Sequence, residues 1–361
     1  MDKEILANQL KEWRHYLHMN AEGVFEEVKT AAFVADKLRE MGLEVHQKIG
    51  KTGVVASLSA GAGQEVIGLR ADMDAINMVE CSGVLYQSLN EGRMHACGHD
   101  GHMATLLGAV AMMKDSLFER FPVDELYGFH NMPQLPGNTI STCVGGIMAG
   151  EDNLVITITG RGGHASQPHL GKDPLVIAAE IILALQTIVS RNLNPQKAAV
   201  ISCTEIHTDG IRNAIPTTVV IKGDTRSFDP DIQIMIESRM KRICEGICRM
   251  NDAACSFVYT HEFAPTYNWK SCTEFAVAAA KKAVGEERVD ESCEPVMGSE
   301  DFGAFIKEIP GCFVFLGSGK TIDCKDEIPL HNHRYDYNDE VLVTGAEYLA
   351  ELISTRLPQK D

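Results

Sequence analysis

Val66-Ile67-Gly68-Leu69-Arg70-Ala71-Asp72-Met73-Asp74 is the stretch from which the fold is read. Its apolar run has the length of a buried strand, and it ends on two carboxylates. Residues two apart on a strand share a face. A carboxylate pair at the carboxyl end of a strand lies where open α/β sheets bind their ligands. Strand-end capping or turn formation is the plainer alternative for Asp72 and Asp74. Downstream comes His95-Ala96-Cys97-Gly98-His99-Asp100-Gly101-His102. Cys97 and His99 can face one metal ion from a tight turn, as thiolate and imidazole ligands. Gly98 permits that turn. Asp100 suits a helix cap or an acceptor behind a ligand. The run matches none of the common structural zinc spacings, so a surface histidine cluster stays open on the residues alone.

Around this centre the chain alternates. Ile5, Leu6, Leu10, Trp13 and Leu17 recur at helical spacing, and residues 29–41 read as a second helix stopped by Gly42. Val54 to Leu58 reads as a buried strand. Gly101 to Phe118 reads as a helix and Leu126 to His130 as a strand. From Asp152 to about Ala264 the pattern changes. Strands are expected over 154–159, 198–206, 217–225 and 255–261, with helices over 173–191 and 230–249. Pro174 suits the first helix's opening turn. The order βαββαβ is the split arrangement of ferredoxin-like domains. The expectation is therefore an α/β domain formed by 1–151 and 265–361, interrupted by a ferredoxin-like domain at 152–264. After the interruption, helices are expected over 273–284, 300–309 and 341–357, and a strand over 312–316.

A length of 361 residues allows two cores. The formal charge of −17 argues against nucleic acid or an anionic membrane as partner, since both select basic patches. The N-terminus lacks the pattern of a signal peptide, and no run approaches the apolar length of a membrane span. Eleven scattered cysteines without a CxxC pair point to a reducing, cytoplasmic setting.

Several further residues carry candidate chemistry. His130 ends an apolar strand, and His331 and His333 lie in an irregular loop. Each is a candidate ligand or an ordinary structural histidine. Gly160-Arg161-Gly162-Gly163-His164-Ala165-Ser166 lets backbone approach a ligand, and His164 can donate to a developing oxyanion. A plain connecting loop is the alternative. Asn213 lies in the same domain, as does Arg226, whose guanidinium suits a substrate carboxylate.

Taken in order, these segments resemble the metallopeptidase family of aminoacylase-like amidohydrolases, which includes hippurate hydrolases, N-acetyl-diaminopimelate deacetylases and auxin-conjugate hydrolases. The segments are Leu17-His18 with Glu22 and Phe25-Glu26-Glu27; Leu69 to Ala75; His95 to His102; Gly128-Phe129-His130-Asn131; Gly162 to Ser166; Asn213 to Pro216; Arg226-Ser227-Phe228; Gly298-Ser299-Glu300-Asp301-Phe302; and Leu330-His331-Asn332. The resemblance implies a site for two divalent metals (zinc, manganese, cobalt or nickel) with Cys97, His99, His130 and His331 on ligand positions. It implies that the inserted domain is a lid and dimerisation domain, with His164 reaching the partner subunit's site and Asn213 and Arg226 facing substrate. The implied activity is hydrolysis of the amide bond of N-acyl amino acids, N-acetyl or N-benzoyl, to a carboxylic acid and a free amino acid.

The chain departs from that pattern at one place. Family members carry a further strand between the helix at Gly101 and the strand ending at His130. It ends in a Gln-Pro-Ala-Glu-Glu type motif, whose first glutamate is the general base and whose second is a metal ligand. Here Ala109 to Met113 runs straight into Lys114-Asp115-Ser116-Leu117-Phe118-Glu119-Arg120. The helical period from Val110 through Met113 to Leu117 fits one continuous helix. Loss of the strand would open a gap in the sheet, and no other Glu-Glu pair ends a strand. Glu300 is the one candidate replacement. The alternative function is therefore a catalytically impaired dimeric scaffold or ligand-binding protein, or a truncated product lacking the catalytic segment.

Overall fold

The computed structural model describes residues 3–58, 65–113, 123–321, 324 and 326–357. In chain order the elements begin with helices α1 (Lys3–Met19) and α2 (Val28–Glu40). Strands β1 (Glu44–Ile49), β2 (Gly53–Ser57), β3 (Ile67–Arg70), β4 (Ile76–Asn77) and β5 (Arg93–Met94) follow. Next come α3 (His99–Met113), β6 (Glu125–Pro136), β7 (Ile140–Ser141), β8 (Gly145–Met148), β9 (Gly150–Thr159) and β10 (Gly163–His164). Then come α4 (Pro174–Thr187), β11 (Ala199–Thr208), β12 (Ala214–Ile215), β13 (Thr218–Ser227), α5 (Pro230–Met250) and β14 (Ala254–Phe263). The chain ends with β15 (Thr266–Asn268), α6 (Lys270–Val284), β16 (Val289–Asp290), α7 (Phe302–Ile306), β17 (Gly311–Gly319) and α8 (Leu342–Arg356).

Two compact units result. The first holds residues 1–144, 268–293 and 309–361, and the second holds 145–267 and 294–308. The stretch 294–308 thus packs with the second unit, although its place in the sequence suggested the first. In the first unit a mixed sheet has the order β16-β7-β17-β6-β3. Strand β6 runs parallel to β17 on one side and to β3 on the other. This bears out the α/β expectation. No gap separates β3 from β6: Ile67 pairs with Glu125 and Arg70 with Gly128. Strand β3 is the sheet's edge and only half-buried, where the sequence predicted a buried strand. Helices α1, α3, α6 and α8 supply Leu10, Leu107, Ala276 and Leu349 to this unit's core. Helices α3 and α8 approach closely, because a Cβ on Gly345 would meet Thr105 Cγ2 at 2.6 Å. The junction at 114–120, read as a continuing helix, lies outside the described residues.

The second unit has the order β11-β13-β9-β14, antiparallel throughout. With α4 and α5 this is βαββαβ. Both helices begin as their sequences require: Asp173 and Asp229 accept a backbone N–H from Leu175 and Asp231, each followed by proline. Ile156, Ile158, Ile181, Leu185, Ile221 and Met240 form a core of its own. One sequence reading needs correcting. Pro174–Asn192 is long and apolar enough to cross a membrane by length and composition. Ile177, Ile181, Leu185 and Ile188 of this stretch are buried in the unit's core, so its apolarity has a use inside the unit.

Candidate metal centre

The centre is assembled at the carboxyl end of β3, the middle of β6 and the first turn of α3; β6 runs on to Pro136, where the sequence expectation had the strand end at His130. Gly98, at φ +89°, turns the chain from Cys97 into the helix that starts at His99. Its bare Cα is also needed for space, since a Cβ there would meet Asn131 Oδ1 at 2.5 Å. His130 follows from the register of β6. His331 arrives from a distant loop whose backbone N–H donates to the Ala96 carbonyl at 2.9 Å. His331 itself sits at φ +62°, an uncommon conformation for a histidine, held by that tie.

The four residues read as ligands from the resemblance meet around one sulfur. Cys97 Sγ lies 3.2 Å from His130 Nε2 and 3.3 Å from His331 Nε2. His99 joins them through Asp72, whose Oδ2 is 3.2 Å from His99 Nε2. The remaining ring nitrogens are occupied from behind. His99 Nδ1 is 2.9 Å from the Asp74 carbonyl and 3.1 Å from its carboxylate. His130 Nδ1 is 2.8 Å from the Asn131 carbonyl. A Nδ1–H donated outward leaves the Nε2 lone pair facing the centre, the usual arrangement behind a metal-bound histidine. The donor set therefore fits a divalent metal. A thiolate with imidazoles and carboxylate favours the borderline transition metals over magnesium or calcium.

The electrostatics agree. Burial would push the Cys97 thiol up, but the imidazoles of His130 and His99 outweigh it and hold the thiol well below its ordinary value. Burial would lower His99, yet Asp72 and Cys97 raise it well above the usual histidine range. Burial likewise opposes ionisation of Asp72, and His99, His102 and Arg70 overcome it. For His331 the hydrogen bond to Cys97 is the largest influence and raises it.

The motif read from sequence undersold two residues. His102 is fully buried, with Nδ1 2.6 Å from Asp72 Oδ1 and Nε2 2.6 Å from Asn131 Oδ1. Asn131 in turn donates to the Tyr335 hydroxyl at 2.6 Å. Asp72, His99, His102 and His130 each offer a donor atom within 4.8 Å of the others. The i, i+3 spacing of His99 and His102 at a helix start was the available signal. Asp72 and Asp74 lie beyond the last residue of β3, so no strand face is shared; they approach His99 from its two sides. Asp100 takes no cap role and binds Arg14 at 3.1 Å and His18 Nδ1 at 2.8 Å.

The remaining expected site residues lie in the second unit. His164 pairs with Ala214 across β10 and β12, next to Asn213, and both side chains are exposed. Its Nδ1 accepts from the Ser166 backbone N–H at 3.2 Å and faces the Ser166 hydroxyl at 2.8 Å. That leaves Nε2 as the donor. Arg226 is ion-paired with Glu151 and Asp224 at 3.0 Å each, and donates to Ser299 Oγ at 3.2 Å. It lies near the end of β13 (Thr218–Ser227), the end away from β12. Glu300 is buried in the second unit and accepts from the Phe302 N–H at 3.4 Å.

The family model described as Peptidase family M20/M25/M40 matches residues 68–117 and 108–355. A hippurate hydrolase of Campylobacter jejuni subsp. jejuni serotype O:2 is 38% identical over 96% of both chains. That alignment runs over 375 positions, more than the 361 residues of this chain, so the relative carries residues that have no counterpart here. An N-acetyl-L-cysteine deacetylase of Bacillus subtilis is 32% identical over 96% of this chain and 88% of its own. Among solved structures, Bacillus subtilis YXEP, described as a dinuclear metal binding peptidase from the M20 family, superposes with a TM-score of 0.82 at 27% identity. The match covers 97% of this chain and 98% of that one.

Proposed function

The chain belongs to peptidase family M20/M25/M40 and by that membership is a metal-dependent amidohydrolase; from this premise we propose that it hydrolyses N-acyl amino acids to a carboxylic acid and a free amino acid. The observation that carries the proposal is the convergence of Cys97, His99, His130 and His331 on one centre. When bound there, divalent metal lowers the pKa of a water and polarises the substrate carbonyl. The Nε2–H of His164 donates to the carbonyl oxygen as negative charge develops on it. Arg226 holds the amino acid's carboxylate, exchanging its partners Glu151 and Asp224 for it.

A second copy of the chain completes this reading. His164 stands on the two-stranded β10–β12 sheet and Arg226 near the far end of β13 in the four-stranded sheet, and in this reading His164 serves the partner subunit's site. The outer face of α4 exposes Leu175, Val176 and Leu183, and β11 is an edge strand of the four-stranded sheet. Both features suit a homodimer through the second unit. Light scattering on the wild type is expected to give a dimer, and Leu183→Asp a monomer. A monomeric wild type would overturn the arrangement.

A second reading is favoured by one observation. The family model matches in two stretches that overlap at 108–117, where the sequence holds no Glu-Glu pair. Without its general base the chain is expected to turn over ~10²–10⁴-fold more slowly than an intact relative. Release of glycine from hippurate and of amino acids from N-acetyl conjugates, measured on metal-loaded protein, decides between the readings. Slow turnover supports hydrolysis. Saturable binding of the same compounds with no product released supports a ligand-binding role and overturns the enzymatic one.

A further inference from the structure

We propose that the centre holds a single divalent ion of the zinc, cobalt or nickel class, and that Asp72 supplies the carboxylate ligand that completes it. The inference rests on the metal-centre reading above and goes beyond it in stoichiometry and in the fifth donor. Its origin is the sheet. Arg70 pairs with Gly128 at the end of β3, and the chain just beyond brings a carboxylate oxygen of Asp72 to within 4.8 Å of a ring nitrogen of His130.

The separations fit ligands that share an ion. With metal–nitrogen and metal–oxygen bonds of about 2.1 Å and a metal–sulfur bond of about 2.3 Å, neighbouring ligands of a five-coordinate ion, at angles of about 90–120°, stand roughly 3.0–3.8 Å apart. Asp72 Oδ2 to His99 Nε2 is 3.2 Å, Cys97 Sγ to His130 Nε2 is 3.2 Å, and Cys97 Sγ to His331 Nε2 is 3.3 Å. Asp72 is also fixed in orientation. Its Oδ1 is held by His102 at 2.6 Å, which directs Oδ2 at the ring of His99.

Among the described residues, the balance of charge favours a count of one. The thiolate of Cys97 and the carboxylate of Asp72 together carry two negative charges, which neutralise one divalent ion. Asp74 is turned onto His99 Nδ1, behind the ligand rather than beside it. A second ion would bring two further positive charges into a buried site, and among the described residues no additional carboxylate faces the cluster to balance them.

The test uses the full chain, stripped with chelator and titrated with Co²⁺, read by calorimetry and by visible and near-ultraviolet absorption. One Co²⁺ per chain is expected, with a sulfur-to-cobalt charge-transfer band. Asp72→Asn should weaken binding at least about tenfold and change the d–d bands, which report the ligand set. Asp72→Glu keeps a carboxylate and should bind one ion with altered bands, so it serves if the asparagine variant fails to fold. Two ions per chain, or variants with unchanged bands and affinity, would overturn the proposal while leaving the metal centre standing. A wild type that binds no Co²⁺, or a Cys97→Ser protein that keeps the charge-transfer band, would instead overturn the metal-centre reading beneath it.

Discussion

His18 shows how a single buried side chain ties the stability of the fold to pH. It is fully buried, with Nδ1 2.8 Å from Asp100 and Nε2 3.1 Å from Glu80. Burial alone would lower its pKa, and Arg14 beside it acts in the same direction. The carboxylates of Asp100 and Glu80 prevail and raise it to about 9. A histidine whose folded pKa exceeds its unfolded value stabilises the fold fully below about 6.5 and loses that contribution as pH climbs through about 9. The contribution is on the order of 3–4 kcal/mol. His18→Gln should therefore lower the urea midpoint at pH 6 and differ little from the wild type at pH 10. An equal loss at both pH values would assign the cost to packing alone. Asp100 keeps its second partner, Arg14, in that variant, so the remaining carboxylate is not stranded.

Strand β3 carries the chain into the centre and is thinly protected. It has four residues, an open edge and half-burial throughout. A Cβ on Gly68 would stand 2.6 Å from Leu126 Cδ1 and 3.1 Å from Val123 Cγ1. Gly68→Val pushes β3 away from β6 and with it Asp72, at a cost of about 1–3 kcal/mol. Metal affinity should fall along with stability. A variant that loses stability and keeps wild-type Co²⁺ affinity would show that the β3–β6 pairing does not position Asp72. The elements differ in how far the sequence announces them. Helices α4 and α5 were legible because Asp-Pro starts and a long apolar period are local signals. The cluster from His95 to His102 was legible for the same reason. The pairing of Arg70 with Gly128 was not, because register between strands more than fifty residues apart is decided by packing. The meeting of His331 with Cys97, and of His102 with Asp72, likewise needed the fold or a family pattern. The stretch 294–308 joins the second unit for a tertiary reason. Gly303 sits against the backbone of Ala264 and Pro265, where a Cβ would clash, and Ser299 donates to Glu151 at 2.6 Å.

Across the whole chain, two hydrophobic cores share no residue. Leu10, Tyr127, Val314 and Leu349 belong to one, and Ile156, Ile181, Ile221 and Met240 to the other. Units with separate cores can unfold separately, and a single unfolding free energy then loses its meaning. Every proposed ligand (Asp72, Cys97, His99, His130 and His331) lies in the first unit. Metal binds the folded form of that unit alone, so linkage stabilises it and leaves the other untouched. At a free ion concentration a hundred times the dissociation constant, the gain is about 2.7 kcal/mol. For a unit of this size that corresponds to a rise in melting temperature of about 5–10 °C. Scanning calorimetry on the chelated protein should give two transitions, and Zn²⁺ should move one and leave the second in place. Asp72→Asn should shrink that shift without displacing the stationary transition. One cooperative transition moved as a whole by Zn²⁺ would mean that the two cores unfold as one, and the metal would then stabilise the second unit through the first.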